Sequence, residues 1–191
     1  MKPATVIGII LGILVLGGAL YYFTQGPSAS PDDDMLTLTS SAFENGAAIP
    51  QQFTCDGANI SPALSISGVP EGTMSLVLIM DDPDVPTVVR PEGVFDHWVL
   101  YAIPPDTREI PENSLAGDTG LNGAGKDAYT GPCPPSQFEP AEHRYYFTLY
   151  ALDNTPTFAK TPTKAEVLAA IDGHVIESAE LMGRFQRPAA D

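Results

Sequence analysis

Residues 74–86 read MSLVLIMDDPDVP. Met74–Met80 is a continuous apolar run of strand length, the pattern of a strand buried on both faces. It stops abruptly. Asp81, Asp82 and Asp84 put three carboxylates within four residues, and Pro83 and Pro86 fix the backbone and remove donors. Polar side chains at a strand end stand on a rigid scaffold and still reach water. Crowded carboxylates also raise one another's pKa values. The alternative is a solvated acidic turn.

Working outward, Met35–Ser40 (MLTLTS) alternates apolar and polar as a half-buried strand does. Leu64–Ser67, Trp98–Ile103 (WVLYAI) and Tyr145–Leu152 (YYFTLYAL) are further strands, separated by stretches rich in Gly, Pro, Asn and Asp. Helical pattern is confined to the C-terminal part. Thr163 and Glu166 form a capping-box pair ahead of the apolar stripe Val167, Leu168 and Ile171. Gly173 ends this helix, and a second is expected from about His174 to Met182. The fold class is therefore mostly β with α additions, a β-sandwich followed by C-terminal helices.

The chain has 191 residues and a formal charge of −15, from 24 Asp+Glu against 9 Lys+Arg. Every acidic residue lies from Asp32 onward, and only Lys2 of the basic ones precedes it. Such acidity argues against nucleic acid as a partner, because a phosphate backbone would be repelled. It does not exclude a small local anion site. With 43% hydrophobic and 17% charged residues the body has the composition of a folded domain. Two cysteines are too few for a disulfide scaffold or an all-cysteine zinc site.

Ala4–Phe23 is apolar and uncharged, and twenty helical residues span about 30 Å, a bilayer core. Lys2 before it and Asp32–Asp34 after it predict an N-terminus in the cytoplasm and a body outside. Residues 1–24 are read as a membrane anchor, with a cleaved signal segment as the alternative. Residues 25–34 are a linker (QGPSASPDDD begins at Gln25), and 35–191 are the domain. The expected location is the cell surface or periplasm, or secretion if the segment is removed.

Two of the three histidines open apolar strands: Asp96-His97-Trp98 and His143-Arg144-Tyr145. His143 and Tyr145, two apart in a strand, share a face. If those strand starts meet the end of Met74–Met80, then Asp82, Asp84, His97, His143 and Tyr145 surround one pocket. The loop Tyr129-Thr-Gly-Pro-Cys-Pro-Pro135 precedes the third cluster, and the Gly131 N–H could donate to an anion. A plain turn is the alternative reading of that loop.

Taken together, DPDVP (82–86), Asp96-His97-Trp98, GPCPP (131–135) and His143-Arg144-Tyr145 resemble the signatures of the phosphatidylethanolamine-binding protein (PEBP) family, which includes the Raf kinase inhibitor proteins. TCDGANISP (54–62), Tyr150–Asp153 and the segment Gly173–Leu181 look like its bacterial and archaeal branch. The resemblance covers about 36–187. It implies a large central antiparallel sheet packed on a smaller one, with C-terminal helices. It also implies a small pocket for phosphate, acetate or phosphoryl head groups, to which Asp82, Asp84, His97, Gly131, His143 and Tyr145 are carried over as ligand-binding residues. It further implies a cis peptide before Pro86 and a structural helix position for His174. One departure stands out. Ser136–Glu142 is longer than the family's loop, lacks its glycine, and brings Glu139 and Glu142 close to the expected pocket.

An anion among carboxylates needs donors. The neighbouring carboxylates are expected to raise the pKa of His97 and His143 above the usual value, so that the imidazoles bind phosphoryl oxygens best at mildly acidic pH. Tyr145 adds an O–H. The function expected is non-enzymatic binding of a small anionic or phosphorylated ligand, without cofactor or metal. The alternatives are a regulator of a partner protein, such as a protease or kinase inhibitor, a hydrolase using the Asp/His pairs, and a metal site built from His97, His143 and Asp82. No GxSxG elbow or P-loop is present. Cys55 and Cys133 either pair, tying the Thr54 loop to the GPCPP loop, or remain free thiols.

Overall fold

The computed structural model describes residues 35–187. Among the described residues, eight strands and one α-helix run in the order β1 (Thr37–Thr39), β2 (Leu64–Ser67), β3 (Ser75–Asp82), β4 (Phe95–Ile103), β5 (Glu109–Ile110), β6 (Asp118–Thr119), β7 (Glu142–Leu152), α1 (Lys164–Ile171) and β8 (Val175–Gln186), with a short 3-10 turn at Gln51–Phe53. They form a three-stranded sheet, β1-β2-β5, and a five-stranded sheet, β6-β4-β3-β7-β8. All these strand pairs are antiparallel.

The apolar run of β3 follows from its central place. Leu76, Leu78 and Met80 face one hydrophobic cluster shared with Leu38, Leu64, Ile66 and Ile110 of the smaller sheet. Val77 and Ile79 face a second cluster with Val99, Val167 and Ile171, beneath α1. Both faces are dry, so period-two alternation disappears. Strand β7 keeps its alternation. Tyr145, Phe147, Leu149 and Ala151 enter the first cluster, while the residues between them are half-buried.

Helix α1 starts as the sequence indicates, with Thr163 and Glu166 capping each other's backbone N–H groups. Its first residue also locks it to the sheet. Lys164 Nζ donates to Asp81 Oδ1 at 2.8 Å and to Asp96 Oδ1 at 2.9 Å. Burial outweighs the help of Lys164 and pushes the Asp81 carboxyl from 3.8 to about 6. A folded-state value above the unfolded one means that the Asp81 contribution to stability falls as pH rises from about 4 to about 6. Asp81→Asn is therefore expected to flatten that part of the stability profile, measured by denaturant unfolding at pH 4, 5, 6 and 7. A variant that kept the wild-type slope over this interval would refute the assignment.

Three expectations are corrected. Of the segment expected as a second helix, 174–182, all but His174 belongs to strand β8, which pairs with β7 from Glu142↔Gln186 to Leu152↔Val175. Its buried positions Leu181, Gly183 and Phe185 alternate with more exposed ones. A long strand edge that needs partners overrides a sequence whose apolar residues also fit a helical stripe. Gly183 suits the strand because a Cβ there would meet the Ile49 side chain at 2.5 Å. His174 consequently sits in the turn between α1 and β8, where its ring nitrogen meets Asp153 Oδ1 at 2.8 Å. Finally, the cis peptide among the described residues is Glu139–Pro140, and Val85–Pro86 is trans. Pro86 there opens a turn whose carbonyl accepts from the N–H groups of Val89 and Arg90.

Among the described residues no helix is long and apolar enough to cross a membrane. The apolar segment 4–23 and the linker 25–34 lie outside them.

Candidate functional site

The antiparallel order puts the C-terminal end of β3 between the N-terminal ends of β4 and β7. Asp82 pairs with Phe95, and Asp81 pairs with Asp96 and Tyr146. The three sequence clusters thus converge. They enclose a cavity of about 310 Å³, whose polar wall is Asp82, His97 and His143. Val85, Val89 and Arg90 from the turn after β3, Phe95, and the 130–135 loop complete it.

His143 and Asp82 form a buried pair, with His143 Nδ1 donating to Asp82 Oδ2 at 2.7 Å. Asp82 Oδ1 accepts the Asp84 N–H at 2.9 Å. Burial raises the Asp82 carboxyl above the usual range, and the His143 hydrogen bond opposes only part of that rise. His143 Nε2 is buried and has no partner among the described residues.

His97 departs from expectation. Burial pulls it down to about 4, although its hydrogen bond to the Thr130 carbonyl opposes the shift. It is therefore neutral near pH 7. A carbonyl can only accept, so Nδ1 carries the hydrogen and Nε2 offers a lone pair. The neighbouring Asp96 carboxylate, which Lys164 also engages, raises the His97 pKa as expected, but burial outweighs it.

Asp84 does not line the cavity. The Arg144 guanidinium holds both its oxygens, at 2.6 and 2.8 Å, and lowers its pKa. It clamps the entry of β7 to the turn after β3. Tyr145 is wholly buried behind the wall, its ring 5.2 Å from that of His97 and 6.5 Å from that of His143. Burial, then the charge of Asp82, raises its phenol pKa. It supports the two imidazoles. Gly131 does line the cavity, but its N–H already donates to Asn59 Oδ1 at 2.8 Å. Its glycine identity has a packing cause: a Cβ would lie 2.2 Å from the Phe53 carbonyl oxygen.

Two features were missed in the sequence. Arg90 lines the cavity, its Nη2 donating to the Gly123 carbonyl at 2.8 Å and its guanidinium 4.8 Å from the Phe95 ring centre. The available signal was a lone cation in a loop stiffened by Pro86 and Pro91. Asn122, also buried, organises the 122–130 loop by donating to Ala128 O and Thr130 Oγ1 and by accepting the N–H groups of Ala124 and Lys126. Glu139 and Glu142 do not line the cavity, and Glu142 approaches Arg184 at 3.5 Å. Cys55 and Cys133 are bonded, and Cys133 is part of the wall. Among the described residues no cluster of three His, Cys, Asp or Glu is arranged to hold a metal ion.

This geometry coincides with a family. A profile described as phosphatidylethanolamine-binding protein matches residues 39–186. The chain belongs to the phosphatidylethanolamine-binding protein family. A UPF0098 protein of Chlamydia trachomatis is 45% identical over 153 residues, covering 80% of this chain and 99% of the relative. A UPF0098 protein of Pyrococcus horikoshii is 37% identical and covers 96% of this chain and 90% of its own. Among solved structures, a PEBP homologue from Chlamydia trachomatis superposes with a TM-score of 0.77 at 44% identity, covering 81% of this chain and 99% of its own. Escherichia coli YbcL, a member of the mammalian PEBP family, gives 0.71 at 26% identity, with 80% and 99% covered. The PEBP domain here is thus a two-sheet antiparallel fold with its strand-end cavity in the matched region.

Proposed function

We propose that the strand-end cavity binds a small anionic or phosphorylated ligand without chemical conversion. The observation that carries this reading is Arg90. It places a permanently charged fork in the same wall as the buried Asp82–His143 pair. The guanidinium supplies what an acidic chain otherwise lacks, and Val85, Val89 and Phe95 keep the wall around it apolar. Charge-assisted hydrogen bonds of this kind contribute about 1.5–3 kcal/mol.

Calorimetry with phosphate and, in parallel, sulfate tests it. Arg90→Ala is expected to weaken binding at least about tenfold, and unchanged affinity would sink the proposal. The pH dependence has a definite sign. His97 is neutral above about pH 4 and contributes no charge at neutral pH. Asp82, with its raised pKa, acquires a negative charge facing the anion as pH rises, so affinity should be higher on the acid side. Sulfate isolates this effect because its own charge is constant there.

We place the domain outside the cytoplasm, attached through residues 1–24. The disulfide and the apolar run behind Lys2 support this reading. Protease accessibility of the domain in intact cells tests it, and protection until lysis would count against it.

A further inference from the structure

A second cavity, of about 360 Å³, shares the 127–131 segment with the first: Asp127, Ala128 and Tyr129 line one, Thr130 and Gly131 the other. Trp98 lines the second cavity and is 1% exposed, and its indole N–H finds no acceptor among the described residues. A buried donor left without an acceptor costs about 1–3 kcal/mol. The Tyr129 ring stands perpendicular to Trp98 at 5.5 Å, and its hydroxyl is already donated to the Phe53 carbonyl at 2.8 Å. Tyr129 therefore offers a surface rather than a free donor.

Two asparagines of the wall add to this. Asn59 and Asn113 have left-handed backbones, with φ of 55° and 53°. They are two of the three non-glycine residues with positive φ among those described, and both line this cavity. Such conformations cost energy and concentrate at binding sites, though asparagine tolerates them better than most residues. Asn59 Oδ1 is engaged by the Gly131 N–H, which leaves its Nδ2 hydrogens as donors. The charged side chain of the wall is Asp127, which is exposed.

The donors Trp98 and Asn59 thus belong with a neutral oxygen acceptor. Asp127 disfavours anions and attracts a cation, the reverse of the first cavity with its Arg90. We propose that this second cavity binds a small neutral or cationic carbonyl compound of the peptide-amide class. Its carbonyl oxygen accepts from the Trp98 indole N–H, and any cationic group lies toward Asp127. The site is independent of the anion reading.

Trp98 is the single tryptophan of the chain, so the ¹⁵N-labelled full chain shows one indole N–H resonance. Titration with N-acetyl-lysinamide is expected to shift that resonance saturably, with a Kd of roughly 1 mM or tighter. The uncharged N-acetyl-norleucinamide should also bind. Asp127→Asn should weaken the lysine probe about threefold and leave the norleucine probe unchanged. Asn113→Gly, which keeps the left-handed backbone accessible, should weaken both. An indole signal that does not move with either probe overturns the proposal. So does a shift abolished by sulfate or by Arg90→Ala, because the probe would then occupy the first cavity.

Discussion

Replacing Asp82 with alanine is expected to lower the unfolding free energy by about 3 kcal/mol. Asp82 and His143 are both buried, and each gives the other its side-chain partner. Truncation removes the acceptor for His143 Nδ1 and for the Asp84 N–H together, and opens a void beside β4. Asp82→Asn keeps an acceptor oxygen and should lose about 1 kcal/mol. Denaturant unfolding at pH 7 measures both. An alanine variant as stable as the wild type would show that the pair does not contribute to holding the strand ends together.

The second large effect belongs to the disulfide. Cys55 and Cys133 lie 78 positions apart, and the bridge joins the loop after Phe53 to the wall of the anion cavity. Closing so long a loop in the unfolded chain stabilises the fold by about 2–4 kcal/mol. The double Cys→Ser variant should lose that amount. The Thr130 and Gly131 hydrogen bonds to His97 and Asn59 persist without the bridge, as does the backbone bond from Cys55 N to Pro132 O. The variant should therefore fold and bind sulfate more weakly, as the Cys133–Pro135 wall loosens. A denaturation midpoint unchanged by reductant would contradict this.

What the sequence revealed and what it hid separate along physical lines. The run Met74–Met80 announced a strand dry on both faces, because that property is written in consecutive residues. The capping pair Thr163 and Glu166 was legible for the same reason. The convergence of Asp82, His97 and His143 followed from antiparallel neighbours meeting end to end. The hidden parts depend on partners far away in the chain. The Gly131 N–H is consumed by an asparagine 72 residues earlier, and Asp84 by an arginine 60 residues later. Nothing near His97 in the sequence shows that burial outweighs the adjacent Asp96. Strand β8 is hard to tell from a helix in sequence because Val175, Ala179 and Met182 also fit a helical stripe, and only pairing with β7 decides between the periods. Arg90 was passed over because a single cation in a loop has no pattern of its own.

The anion cavity sits at the Asp82 end of β3. Chain entry is at the other end: the Leu36 N–H donates to Glu177, which pairs with Ala151, which pairs with Leu76. Six residue steps along the strand lead from Leu76 to Asp82, about 20 Å. For anyone building a sensor from this domain, a surface linkage at Met35 starts with that stand-off already in place. Linker length then becomes a free design variable, and shortening it need not bring the support against the recognition end.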